Sequence, residues 1–239
     1  MRINWNYIKA FVLLVLVVFL YAFSSERNAN RNLAKVSVAF LGENNLYITQ
    51  ETVNKLLIQN QAQVTSVPKE TLDLNELESV LNSNAMIKSA EVYLTVDGVV
   101  KADVEQRSPI ARVYGDESYY IDDQGLVMPL SANYSARVPL VTGNIKADNL
   151  ENVYVMATKI YEDAFLKKHI VQINQSDNGD IILSARALSF KIHVGDLSSL
   201  DKKINNFKAF YQKARKDNVL EKYSKVNLQF VNQVVCTKK

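Results

Sequence analysis

The spacing of apolar residues changes along this chain, and each change predicts a different kind of element. Residues 10–23, AFVLLVLVVFLYAF, are apolar without interruption. Alone they are short for a membrane span, which needs about 17–25 residues. Counted from Trp5 to Ser24 the run reaches that length, provided Lys9 carries its ammonium back to the interface. Trp5 and Tyr7 at one end and Tyr21 at the other fit the aromatic belts of the two bilayer surfaces. A cleaved signal peptide wants small residues near the end of its apolar run, where Tyr21 and Phe23 stand, so the pattern favours a retained anchor. The expected order is a cytoplasmic tail over residues 1–9, a transmembrane helix over 10–24 and a polar linker over 25–34. A short head before the span and a large tail after it predict that the tail is exported.

Beyond the linker, Val36, Val38 and Phe40 alternate with Ser37 and Ala39, the period of two of a half-buried strand. Helical spacing comes next. Thr49 is placed to cap a helix with Val53, Leu56 and Leu57 on one face, and Asp73 with Glu76 forms a capping pair before Leu74, Leu77, Val80 and Leu81. Two alternating runs succeed them: Ala90, Val92 and Leu94, then Val100, Ala102 and Val104. A two-residue Asp97-Gly98 loop would set Leu94 against Lys101, so the apolar faces would not meet. A three-residue loop, Val96-Asp97-Gly98, sets Leu94 against Val100 and Val92 against Ala102, with Gly98 at the left-handed position of a bulge-type turn. Residues 35–113 therefore read strand, helix, helix, strand, strand.

Residues 114–239 read as a mixed β-domain with two long helices. Strands at 119–121 and 126–128 flank the turn residues Asp122-Asp123-Gln124-Gly125. Asp148 and Glu151 suit the start of a long helix whose apolar face runs from Leu150 to Ala164. Strands at 170–175, 181–185 and 190–194 come after it, with Asn178-Gly179 as a turn signal between the first two. Ser198 and Asp201 open a helix with Leu200, Ile204, Phe207, Tyr211 and Ala214 on one face. Residues 226–235 read as a final strand, an edge with no later segment to cover it. The fold class is α+β.

Composition narrows the function. The 28 basic side chains exceed the 25 acidic ones by three, and Arg2 and Lys9, beside the apolar run, account for two of that excess. The balance excludes an electrostatic footprint for nucleic acid. Cys236 is the only cysteine, so no intrachain disulfide forms, and it reads as a small apolar strand residue. The two histidines both have structural readings: His169 at a helix end after Lys167-Lys168, and His193 on the polar face of a strand. The glycines are dispersed singly, with no phosphate loop, and no GxSxG, HExxH or CxxC motif occurs. Asp122-Asp123 reads as a polar turn rather than an acid/base or metal pair, and Tyr119-Tyr120 as one core and one exposed ring. No catalytic constellation, cofactor or small-molecule substrate is indicated.

The strand-helix-helix-strand-strand order of residues 35–113 resembles the POTRA module of exported and membrane-associated proteins. The chain as a whole resembles the FtsQ/DivIB cell-division family, carried by VEQRSPIARV (104–113), YYIDDQGLVMPLS (119–131), VPLVTG (138–143) and the closing VNLQFVNQVV (226–235). The resemblance implies a non-enzymatic, single-span protein of the cytoplasmic (inner) membrane with its bulk outside, in the periplasm, that bridges divisome proteins at the septum. It also implies an extended segment of an FtsB-type partner, coiled to an FtsL-type protein, paired with the terminal edge strand. Matching the closing segment to the family's pattern puts partner contacts at Gln229, Phe230, Asn232 and Val234. The match departs at Gln229 and Phe230, where the family usually has a basic residue and a tyrosine, and at Gln233, where it has a small or turn residue. Phe230 also admits a plain core reading. The rival assignment, a POTRA-bearing transport or outer-membrane assembly factor, calls for several modules or a C-terminal barrel. In a protease-protection assay, protease added outside the cytoplasmic membrane should digest everything C-terminal to the span; protection of that part would place it in the cytoplasm.

Overall fold

The computed structural model describes residues 5–29, 35–42, 45–59, 72–115, 117–145, 150–230 and 232–239. Helix α1 spans Trp5–Ala29, and its stretch Trp5–Glu26 is long and apolar enough to cross a membrane, with a mean hydropathy of 2.3. Residues 25–29, expected as linker, continue this helix; SERNA contains neither Gly nor Pro, so nothing breaks the hydrogen-bond ladder there. The expected linker residues 30–34 and residues 1–4 of the expected tail lie outside the described residues.

The chain divides into two compact units, residues 1–106 and 107–239. In the first, the order is β1 (Lys35–Leu41), α2 (Gln50–Gln59), α3 (Leu74–Asn82), β2 (Ile87–Leu94) and β3 (Val99–Gln106), with sheet order β1-β3-β2. The expected caps are present: Thr49 Oγ1 accepts from the Thr52 amide at 3.2 Å, and Asp73 Oδ1 from the amides of Asn75 and Glu76. Val53 and Leu57 of α2 and Leu77 and Leu81 of α3 share one buried cluster with Ile87, Val92, Val100 and Val104 of the sheet. The hairpin has the three-residue register, Leu94 opposite Val100 and Val92 opposite Ala102. Gly98 sits at φ +80°, a conformation only glycine adopts at little cost. The buried Gln106 side chain then ties this strand to the loop before α2, accepting from the amides of Tyr47 and Ile48 and donating to the Ile48 carbonyl.

The second unit holds β4 (Pro109–Val113), β5 (Tyr119–Asp122), β6 (Val127–Met128), β7 (Leu140–Gly143), α4 (Glu151–Glu162), α5 (Ala164–His169), β8 (Ile170–Gln175), β9 (Ile181–Ala185), β10 (Lys191–Gly195), α6 (Leu200–Lys216), β11 (Tyr223–Asn227) and β12 (Val235–Lys238). Its nine strands form one mixed sheet in the order β12-β11-β10-β9-β8-β7-β4-β5-β6. Val153, Met156, Ala157 and Ile160 of α4 and Ile204 and Phe207 of α6 belong to one core with Val141, Ile173, Leu183, Ile192 and Val226 of the sheet. The first module was expected to run to Val113. Residues 109–113 instead pair with β5 and β7 of the large sheet, where Ile110, Ala111 and Val113 are buried in its core.

Two acidic residues explain departures from the expected pattern. Asp122 is fully buried, not an exposed polar turn residue: its carboxylate pairs with Arg107 at 2.6 Å and accepts from the amides of Gln124 and Leu126. The single long helix expected to reach Ala164 is two helices, because Asp163 leaves the helical conformation with ψ 111° and caps α5 through the amides of Phe165 and Leu166. Its other oxygen pairs with Lys208 of α6. Asp148, the expected helix start, lies outside the described residues.

Asp122→Ala removes one member of a largely buried ion pair and the acceptor of two backbone amides together, and should destabilise the second unit by about 3–5 kcal/mol, read as a lowered denaturant midpoint. Burial raises the Asp163 carboxyl, but the Lys208 ammonium and the Leu166 and Phe165 amides outweigh it and hold its pKa below the ordinary carboxylate value. A depressed carboxylate contributes stability above its unfolded pKa and loses it as pH falls through the folded one. Asp163→Asn should therefore flatten the acid limb of a melting-temperature profile between about pH 5 and pH 2; an unchanged limb would mean this carboxylate contributes nothing.

Candidate partner-binding edge at the C-terminus

β11 runs parallel to β10 with Lys191 opposite Lys225, Ile192 opposite Val226 and His193 opposite Asn227. The ladder gains one more bond, from the Leu228 amide to the His193 carbonyl at 2.8 Å. Val226 and Leu228 are fully buried. There the chain leaves the sheet, so residues 226–235 are not the single strand the alternation suggests. The Asn227 side chain accepts from the Gln229 amide at 2.9 Å, a local side-chain turn that competes with extension of the strand. The chain returns as β12, antiparallel to β11, with Asn227 opposite Val235 and Val226 opposite Cys236. The terminal edge is thus built from Val235–Lys238, with β11 as its one neighbour in the sheet.

The four residues expected to meet a partner lie on the connection between β11 and β12. Gln229 accepts from Asn227 Nδ2 and lies over Gly195, where a Cβ would stand 2.5 Å from its Cγ. Gly195, at φ +72°, keeps that space open. Asn232 accepts from Lys202 of α6 at 2.7 Å. Val234 packs half-buried against the core. Phe230 keeps 50% of its surface exposed, which removes the core reading for this ring. Of the edge itself, Val235 falls within the strand expected over 226–235, whereas Thr237 and Lys238 lie beyond it; the signal available was the short alternation of Val235, Cys236 and Thr237. An open cleft of about 660 Å³ adjoins the edge, lined among others by Phe210 and Lys213 of α6, Tyr223, Asn232, Val234 and Cys236.

The two histidines and the cysteine all have perturbed surroundings. His169 lies between the rings of Phe165 and Tyr211, with centroids at 4.6 and 5.1 Å. Its pKa is lowered by burial and by the charges of Lys168 and Arg215. That of His193 is lowered by burial and Lys225, against a smaller raising by Asp180. Burial pushes the Cys236 thiol up, which suppresses the reactive thiolate. Among the described residues no group of three or more His, Cys, Asp and Glu side chains is placed to hold a metal ion. The arrangement offers a partner mainly backbone: a row of edge donors and acceptors beside an exposed aromatic ring.

Residues 36–105, the first compact unit without its N-terminal helix, match the model of a POTRA-like domain. Residues 108–237, nearly all of the nine-stranded unit and more than half the chain, match the family described as FtsQ/DivIB, C-terminal related. Comparison with curated proteins finds no match. With one apolar helix near its N-terminus, one POTRA-like module and this C-terminal unit, the chain belongs to the FtsQ/DivIB family of cell-division proteins.

Proposed function

We propose that this chain is a non-enzymatic scaffold of the division machinery, anchored in the cytoplasmic membrane by α1 with both folded units exported, and enriched at the septum. It bridges divisome proteins by accepting an extended segment of an FtsB-type partner, itself coiled to an FtsL-type protein, as a tenth strand on the nine-stranded sheet. The observation that carries this reading is that, among the described residues, β12 ends the sheet with one side of its backbone unclaimed by another strand. Such an edge is a template for strand addition, in which main-chain bonds give affinity and neighbouring side chains give specificity. Phe230, half exposed beside Gln229, Asn232 and Val234, supplies the aromatic anchor that interfaces favour. The polar contacts a tyrosine hydroxyl and a basic residue would add are missing at Phe230 and Gln229, so the partner's specificity differs there.

The test is capture of coiled-coil division proteins from membranes by the full-length chain, by Phe230→Glu and by a chain ending at Val234, which lacks β12 but keeps the buried Val226 and Leu228. Phe230→Glu should weaken capture at least about tenfold, equivalent to 1.4 kcal/mol, with a melting temperature within about 2 °C of the parent, as for an exposed site. Loss of β12 should abolish capture. Equal capture by all three chains sinks the edge reading, and capture of unfolded outer-membrane proteins instead favours the transport or assembly assignment.

A further inference from the structure

Helix α5 (AFLKKH) buries Leu166 and is followed by the buried Ile170, while Lys167 and Lys168 point outward. The Lys167 ammonium stands 4.2 Å from the centre of the Tyr161 ring, a cation–π contact that fixes it in place. Two more cations converge from distant parts of the chain. Arg137 precedes β7, and Arg186 follows β9, where its amide donates to the His169 carbonyl at 2.9 Å and fastens the turn to the end of α5. Arg137, Lys167 and Arg186 line one cleft of about 250 Å³ whose floor is the buried Ile110, Pro139, Ile160 and Ile170. Among the described residues, no acidic residue lines it and none of the three cations is in an ion pair.

Three like charges around an apolar floor repel one another and gain from a shared anion, while the low-dielectric wall strengthens the field they present. The apolar floor decides what kind of anion. Inorganic phosphate or a phosphate polymer satisfies the rim and leaves the floor wet, and a lipid's acyl chains exceed a cleft of this size. A carboxylate side chain beside a Leu, Ile or Val satisfies both, and arginine forks bind carboxylates with two parallel hydrogen bonds. Across α5 lies a second cleft, lined by Phe165, His169, Tyr211, Arg215 and Lys216 and, among the described residues, by no acidic one, so the positive surface continues along the helix. We infer that this cationic face around α5 is a docking site for an acidic, aliphatic-flanked segment of a protein partner, separate from the β12 edge.

The test uses the full-length chain in neutral detergent and a fluorescent peptide, acetyl-Leu-Glu-Ile-Asp-Leu-Glu-amide, beside its neutral Gln/Asn counterpart. The acidic peptide should bind at least tenfold more tightly than the neutral one. Both R137E/K167E/R186E and R137Q/K167Q/R186Q should weaken it at least tenfold at unchanged melting temperature, and raised salt should weaken it as well. F230E should leave it unaltered, which separates this site from the strand edge. Absence of binding by the acidic peptide, equal binding of the neutral one, or insensitivity to both triple variants overturns the inference. Binding of phosphatidylglycerol vesicles that the triple variants abolish, with no effect of those variants on the peptide, also overturns it and makes the occupant an anionic lipid.

Discussion

Every open β-sheet ends in two strands that each leave a row of backbone donors and acceptors without a strand partner, and the rest of this fold is arranged around those rows. In the POTRA-like unit, α3 blunts the β2 edge: Asn82 bonds both the amide and the carbonyl of Ala90, and Glu78 accepts from the Val92 amide. On β1, Gln50 of α2 donates to the Val38 carbonyl. In the large sheet, one end is the two-residue β6, too short to template a partner, and the other is the four-residue β12. The contacts on Thr237 and Lys238 come from Ser224, within the neighbouring β11. Among the described residues, side chains from neighbouring helices cover edge groups of the POTRA-like sheet, while the contacts on β12 come from within its own sheet.

A second economy is the repeated use of one turn. Three hairpins close in the same way: Thr95 with Val99, Asp122 with Leu126 and Ser176 with Asp180 each make an amide-to-carbonyl bond across three loop residues. The third loop residue is glycine each time, at φ between 79° and 85°. The turn twists with its strands, so loop length and the apolar faces it brings together set the register next to the turn. In the second hairpin the first flanking residue is the buried Asp122, and its pairing with Arg107 ties the turn to the first residue of the second unit. One carboxylate thus serves the turn and the unit's beginning.

The same short polar side chains also decide where elements stop. Asp73 caps a helix, Asp163 ends one helix and caps the next, and Asn227 turns the chain out of a strand. In each case a side-chain oxygen accepts from an amide two or three residues on. The local chemistry is shared, and the element that comes next depends on which neighbours can bury the adjoining apolar residues. The cationic face around α5 belongs to this class of outcome, since Arg137, Lys167 and Arg186 are far apart in sequence and meet only because β7, α5 and β9 are brought together in the folded unit.

Periodicity and turn chemistry were enough for much of the architecture. The membrane-length helix, the strand-helix-helix-strand-strand module, the register of Leu94 on Val100, the caps at Thr49 and Asp73 and the strands at 170–175 and 181–185 are all local, set by side-chain alternation or a single backbone turn. The motifs at 104–113, 119–131, 138–143 and 226–235 carried the family as well. Tertiary structure decided the rest. It placed residues 109–113 in the second sheet, buried Asp122, broke the long helix at Asp163 and folded the closing segment into β11, a tethered connection and β12. A period of two in Val226, Leu228 and Phe230 cannot tell a strand that continues from one that turns back. The alternation costs nothing to extend on paper, while in the molecule Val226 and Leu228 fill the core and Phe230 finds no space there. The sequence alone determined that an alternating apolar segment closes the sheet; the packing of β11 against β10 and α6 determined that the edge is Val235–Lys238, because Val226 and Leu228 are the residues the core buries.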